Sequence, residues 1–124
     1  MRKALTRVLF SVAYFGFAEI GPAQQDVEVD AVHHKLEFEN DCVRVVRANF
    51  GPGEKSAFFD AKDAVIVSLK GSQGFRLTFP DGRSIVTSPN SSGDVFWAPA
   101  VRAQHENIGD TRVEFLVIEP KGCH

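Results

Sequence analysis

Beyond residue 33 the chain is built from short apolar runs that turn residues separate. In the first run, Leu36 and Phe38 alternate with charged residues, and this period of two predicts a strand with one buried face. The run from Ala64 to Leu69 is nearly continuous in apolar residues, which predicts a strand buried on both faces. About eight such runs follow one another without helical periodicity, so the pattern predicts an all-β sandwich or barrel.

The turns between the runs set the limits of the predicted domain. Gly51-Pro52-Gly53 ends the second predicted strand, Pro80-Asp81-Gly82 forms a hairpin turn, and Pro120 ends the last strand. A chain of 124 residues is long enough for one such domain. We therefore predict a barrel over residues 34–120 and a C-terminal tail over 121–124.

The N-terminal residues have the three parts of a secretory signal peptide. A positively charged start is followed by an apolar run of 11 residues, Val8 to Ala18, and then by the small residues Gly21 and Ala23. We predict a signal peptide over residues 1–23 and export to the periplasm or the extracellular space. The run is shorter than the roughly 17–25 residues that span a bilayer, so no stable membrane insertion is expected after cleavage. A buried N-terminal helix is the alternative, and residues 24–33 are predicted to be a loose lead-in.

The distribution of charge excludes one class of partner. The formal net charge is −2, and no run of like charges occurs in the sequence. A nucleic-acid footprint or a polybasic membrane patch therefore has no basis in this chain.

Cys42 and Cys123 are the only cysteines of the sequence. Cys42 begins one predicted strand and Cys123 follows the last, so a disulfide would close nearly the whole barrel into one loop. An exported chain permits such a bridge, but the two strand ends must then be neighbours. A disulfide and two free thiols both remain open on the sequence alone.

Two sequence blocks resemble those of small single-domain cupins. The first is the turn Gly51-Pro52-Gly53-Glu54-Lys55, and the second runs from Gly93 to Val101 and continues over 106–111. The resemblance covers about residues 34–120, and the second block is the more specific. It implies a cupin-like β-barrel, the double-stranded jelly roll.

The resemblance also implies where a metal site would lie. Cupins carry His-x-His and a glutamate after the first block and a third histidine in the second. By position, the first two histidines fall on Phe59 and Ala61, the glutamate within Ala64 to Ile66, and the third histidine on Gln104 or Ala103. A metal needs charged or lone-pair donors. We therefore predict a degenerate cupin with no metal site and no cofactor, which leans against enzymatic activity.

His105 is the one candidate for residual catalysis. Period two turns it to the same side as Ala103, so inside the barrel it can act as a base or a polar contact. A position on the surface or the rim is favoured, because nothing else in the sequence completes a catalytic pair. A metal site improvised from the four histidines is disfavoured, because His33 and His34 are adjacent and neighbours on a strand point to opposite faces.

The chain is rich in phenylalanine, with 11 Phe against one Trp and one Tyr. These rings either fill a core or line a cavity for an apolar or aromatic ligand, and a filled core is favoured because small barrels are often packed solid. The predicted lining of such a cavity is a set of residues on the barrel strands: Phe59, Ala61, Phe75, Leu77, Trp97, Ala103 and His105.

An inward arginine is a further candidate for ligand binding, because guanidinium pairs well with the carboxylate of an organic acid. The solvated face of a strand is the commoner position for this residue. The four candidates are Arg44, Arg47, Arg76 and Arg102.

These observations favour an exported cupin-fold protein without the usual metal site. It would bind a small apolar or aromatic ligand or act as an interaction module, and an edge strand offers a route to a homodimer. The alternative is a metal-dependent or acid–base cupin enzyme that uses rearranged ligands around His105. The sequence identifies neither the ligand nor the oligomeric state.

Overall fold

The computed structural model describes residues 25–123, so the predicted signal peptide over 1–23 lies outside the described residues. In this part of the chain a short helix, α1 (Asp26–Val29), precedes nine strands. The strands are β1 (His34–Glu39), β2 (Val43–Phe50), β3 (Phe59–Ala61), β4 (Ala64–Lys70), β5 (Phe75–Thr78), β6 (Ser84–Val86), β7 (Val95–Ala98), β8 (Val101–Asn107) and β9 (Val113–Pro120). No helix within residues 25–123 combines the length and the apolar character needed to cross a bilayer.

The strands form two antiparallel sheets that face each other. The five-stranded sheet has the order β1-β2-β9-β4-β7, and the four-stranded sheet has the order β3-β8-β5-β6. Neighbours in each sheet come from distant parts of the chain, as in the pairing of β2 with β9. The all-β barrel predicted from the alternation is confirmed.

Strand β2 shows how the alternation builds the core. Buried and half-buried residues alternate along all eight of its positions. Its inward residues include Ala48 and Phe50, which form the hydrophobic core with Phe75 and Val113. The rings of Phe50 and Phe75 meet edge to face across the two sheets, with centroids 5.2 Å apart, an arrangement that aromatic quadrupoles favour.

A buried asparagine joins the two sequence blocks. The turn after β2 needs Gly53, whose φ of +74° is open to glycine without steric cost. Asn107, the last residue of β8, donates its side-chain amide to the main-chain oxygens of Phe50 at 3.2 Å and Gly51 at 3.1 Å. The main-chain nitrogen of Gly53 donates in return to the oxygen of Asn107 at 2.9 Å. The turn is therefore held by the end of β8.

Cys42 and Cys123 form a disulfide, with their Cα atoms 4.6 Å apart. The bridge is possible because β9 pairs with β2 as far as Pro120, which lies opposite Val43. The two strand ends are therefore neighbours, and the disulfide is the alternative that the structure contains.

Two sequence predictions about exposure are wrong. Leu36 and Phe38 of β1 are 42% and 53% exposed. Strand β1 is the edge of its sheet, and a register shift pairs Leu36 with Val46 but Phe38 with Val45, so the two side chains do not share one face. Val65 and Val67 of β4 are half-buried rather than buried. The apolar run of β4 thus faces a partly open environment.

The predicted loose lead-in over 24–33 is also wrong where the structure describes it. Residues 26–29 form helix α1, and Asp26 and Asp30 are buried. The segment is ordered because these two carboxylates bind basic side chains of the barrel, as described below.

Candidate ligand-binding cavity

The two sheets enclose a cavity of about 750 Å³. This volume lies within the range of about 300–1,000 Å³ that is usual for small-molecule sites. The favoured expectation of a solidly packed interior is therefore wrong. Most of the wall consists of apolar side chains from both sheets, among them Phe59, Ile66, Phe75, Leu77, Phe79, Ile85, Phe96, Trp97, Val101 and Phe115.

The wall contains six of the seven residues predicted to line it. They are Phe59, Ala61, Phe75, Leu77, Trp97 and His105. Ala103 does not reach the cavity, although it is 0% exposed. Its methyl group is shorter than the side chains of Val101 and His105, which flank it on the same face of β8.

The cavity reaches the surface beside β7. Trp97 lines the cavity and is 54% exposed. Strand β7 is the outer strand of the five-stranded sheet, and β6, which carries the lining residue Ile85, is the outer strand of the other sheet. Because Trp97 and Ile85 both line the cavity and are exposed, the mouth lies at these two outer strands.

His105 lies inside the barrel, so the favoured surface interpretation is wrong. Its ring stacks on Phe59, with centroids 4.8 Å apart and an interplanar angle of 17°. Its Nδ1 atom is buried and has no hydrogen-bond partner among residues 25–123. Burial lowers the pKa of His105 to about 4, and the nearby His34 adds to this effect. The imidazole is therefore neutral at pH 7.

A second imidazole, His34, lines the cavity and was not singled out as a site residue from the sequence. Its Nδ1 atom lies 3.1 Å from the main-chain oxygen of Asp30 and 3.2 Å from carboxylate oxygen Oδ2 of the same residue. Burial lowers the pKa of His34, although Asp26 and Asp30 act in the opposite direction. The sequence contains a signal for this contact, because His34 begins a strand four residues after Asp30.

Asp30 binds both adjacent histidines. The Nδ1 atom of His33 lies 2.8 Å from Oδ2 of Asp30, and the ring of His33 stacks on Phe50 at 4.4 Å. The expectation that the two side chains diverge is wrong, because His33 precedes β1 in a turn and the alternation of a strand does not apply to it.

Arg44 forms a buried ion-pair cluster at another part of the wall. Its guanidinium donates to Asp26 at 3.1 Å and to both carboxylate oxygens of Glu119 at 3.2 Å. Asp26 and Glu119 line the cavity. Burial raises the pKa of Glu119, although Arg44 opposes this shift. The cluster has two carboxyl groups around one guanidinium, so it has no excess positive charge that could attract an anionic ligand.

The other three arginines also have carboxylate partners. The ion pairs are Arg47 with Glu37 and Glu114, Arg76 with Glu106, and Arg102 with Asp60. The less favoured alternative, an inward arginine that binds an organic acid, therefore finds no support among these four residues.

Solved structures identify the architecture. A cupin domain from Bordetella pertussis Tohama I is 25% identical to this chain, with a TM-score of 0.63, and the match covers 72% of this chain and 92% of that chain. This chain is a cupin by fold. Two further cupin-fold neighbours, each with a TM-score of 0.52, are an RmlC-like cupin from Methanocaldococcus jannaschii and a polyketide cyclase from Streptomyces resistomycificus. Their identities are 14% and 17%, and the matches cover 90% and 89% of this chain and 91% and 80% of theirs. No protein-family model and no curated protein matches the sequence.

The positions at which cupins hold a metal do not fit one here. Phe59 and Ala61 line the cavity, but a phenyl ring and a methyl group have no donor atom for a metal. Gln104 is not part of the wall. The cavity has imidazoles at His34 and His105, but residues 25–123 contain no group of three or more His, Cys, Asp or Glu placed to hold a metal ion. The chain has the cupin fold without donor atoms at the usual metal positions Phe59 and Ala61.

His105, a half-buried residue whose Nδ1 atom is buried, is expected to make stability depend on pH. Its pKa is about 4 in the folded protein against 6.5 for an ordinary histidine. Below pH 6.5 the unfolded chain takes up a proton at His105 that the folded protein does not. The free energy of unfolding is therefore unaffected by this titration above pH 6.5 and decreases as the pH falls towards 4. Between pH 7 and pH 5 the loss from this residue should be about 2 kcal/mol.

Urea unfolding of the wild type and of His105→Phe at pH 7 and pH 5 measures this contribution. His34, whose pKa is also lowered, and Glu119, whose pKa is raised, are present in both proteins. The difference between the two pH dependences therefore isolates His105. Parallel declines in the two proteins would show that His105 titrates normally when folded.

Proposed function

We propose that this exported cupin-fold protein binds a small apolar or aromatic molecule in the cavity between its sheets. The observation that supports the proposal is the open cavity of about 750 Å³ with its largely apolar wall. Removing apolar surface from water contributes roughly 25 cal/mol per Å², so such a wall favours a ligand of the same character. Trp97 at the mouth and Phe59 inside provide aromatic faces for it.

The disulfide supports the exported location. Cys42 and Cys123 are joined in the folded protein. Such bonds persist in oxidising compartments outside the cytosol. The three-part pattern over residues 1–23 points to the same destination.

The proposal is tested by filling the cavity. N-phenyl-1-naphthylamine is a neutral, apolar probe whose fluorescence increases in apolar surroundings, and Trp97, the single tryptophan of the chain, is a second reporter. We expect the wild type to bind the probe with quenching of Trp97. Ala61→Phe places a phenyl ring in the space that the ligand would occupy, and overpacking of about 1–3 kcal/mol should weaken binding about 10-fold.

Ala57→Phe is the matched control, because Ala57 is exposed and does not line the cavity. It should bind the probe as the wild type does, and thermal unfolding of all three proteins checks their folding. Absence of binding in the wild type, or equal affinities for the wild type and Ala61→Phe, would refute the proposal.

Acid–base catalysis is the second candidate, and one observation favours it. His34 has its Nδ1 atom held by Asp30, as a general base is held by an orienting carboxylate. His105, the residue that the sequence suggested, is poorly suited because its pKa of about 4 lies far from neutral pH. Ligand binding needs no such reaction, so we place catalysis second.

A further inference from the structure

We propose that the ligand carries a neutral hydroxyl group that donates a hydrogen bond to Nε2 of His34, so that the cavity selects phenols over hydrocarbons of the same shape. This inference rests on the proposed function and adds the chemical class of the ligand to it. It is carried by the hydrogen bonds that the described residues make around His34.

The contacts of Asp30 fix the tautomer of His34. The two oxygens next to Nδ1, at 3.1 Å and 3.2 Å, are a main-chain carbonyl and a carboxylate, and both only accept hydrogen bonds. The proton of the neutral ring must therefore lie on Nδ1, and Nε2 carries a lone pair. A molecule bound beside His34 meets a hydrogen-bond acceptor.

The acceptor is held in a fixed orientation. Oδ2 of Asp30 is itself fixed by His33 at 2.8 Å. The ring of His34 packs edge-on against Phe50 at 5.7 Å and Phe59 at 5.1 Å. A lone pair that is already oriented does not have to be ordered when the ligand binds, which favours affinity.

Nothing among residues 25–123 provides a donor for this lone pair. No hydrogen bond is formed at Nε2 of His34 within that range, and the guanidinium of the nearby cluster, Arg44, donates to Asp26 and Glu119. His105 adds a buried Nδ1 atom without a partner. A ligand that donates to Nε2 of His34 gains a hydrogen bond that a hydrocarbon cannot form, so it is favoured over one that cannot donate.

The donor is a neutral hydroxyl rather than an acid. An anionic group would lie near the carboxyl groups of Asp26 and Glu119, and Arg44 is already engaged by both. A phenol, whose pKa is about 10, keeps its proton at pH 7. Its ring also suits the aromatic wall around Phe59.

The experiment compares 2-naphthol with 2-methylnaphthalene, which replaces the hydroxyl by a methyl group of similar size. Equilibrium dialysis of the full chain at pH 7 gives both affinities. We expect 2-naphthol to bind about 10-fold more tightly, the equivalent of one well-formed hydrogen bond. A purely apolar cavity would give the reverse order, because the methyl compound is the more hydrophobic.

A variant locates the preference. His34→Phe keeps a ring of similar shape and removes the acceptor, so it should lose the preference for 2-naphthol and bind 2-methylnaphthalene at least as tightly, while His33 still binds Asp30. If the wild type binds 2-methylnaphthalene as tightly as 2-naphthol, this inference fails and the apolar cavity stands. If neither compound binds, the proposed function fails and the inference fails with it.

Discussion

Replacing Arg44 by methionine is expected to lower the free energy of unfolding by about 3–5 kcal/mol. The guanidinium is buried and is bound by Asp26 and Glu119, which are themselves buried. Methionine fills similar space but leaves both carboxyl groups without their cation, and burying them unpaired is costly. Because Asp26 belongs to α1, the helix should also lose one of its attachments to the barrel, while Asp30 still binds His34. Urea unfolding at pH 7 measures the loss.

Arg47→Met is the matched control on the same strand. Arg47 is also bound by two carboxylates, Glu37 and Glu114, but its side chain is partly exposed to water. Exposed ion pairs contribute little, so this variant should lose only a small part of what Arg44→Met loses. If both variants lowered the free energy of unfolding equally, burial of the Arg44 cluster would not increase its contribution to stability.

Removing the disulfide is expected to lower the free energy of unfolding by about 2–5 kcal/mol. Cys42 and Cys123 are separated by 81 positions in the sequence, and a bond across so long a loop restricts the unfolded chain strongly. Both residues are exposed, so the double variant Cys42→Ser/Cys123→Ser leaves no hole in the core. The change should therefore appear as a lower midpoint of urea unfolding.

The reduced wild type is the control for this variant. If the bond alone is responsible, the wild type in excess reductant should unfold at the same urea concentration as the double variant. A double variant that unfolds at the midpoint of the oxidised wild type would contradict the expected stabilisation.

Most strands and turns could be predicted from the sequence, because each depends on a pattern of a few neighbouring residues. Alternation over 43–50 and 75–78 follows directly from the pleat of a strand. The turn at Gly53 follows from a backbone angle that glycine adopts freely. The sequence also shows directly that Phe59 and Ala61 have no donor atoms for a metal, since this depends on residue type alone.

The polar groups of the interior were harder to predict, although a signal existed for two of them. Arg44 is in phase with Val46, Ala48 and Phe50 on the buried face of β2, so the alternation predicts that it is buried. A buried guanidinium needs a carboxylate partner. Asn107 is in phase with the buried Ala103 on β8 in the same way. Their partners could not be named, because they come from distant segments that only the folded chain brings together.

The cavity itself could not be predicted from composition. Eleven phenylalanines fill a core or line a space equally well, and the choice depends on how far apart the two sheets lie. The exposure of Leu36 and Phe38 could not be predicted either, because the register shift between them breaks the alternation that would place both on one face.

The bond between Cys42 and Cys123 turns most of the barrel into a covalent ring that contains β2 to β9 and leaves β1 outside. A single peptide-bond break anywhere in that ring, for example in the exposed hairpin tip at Asp81, would open it without dividing the molecule. A nicked protein could thus keep its strands together while oxidised and separate into fragments only after reduction.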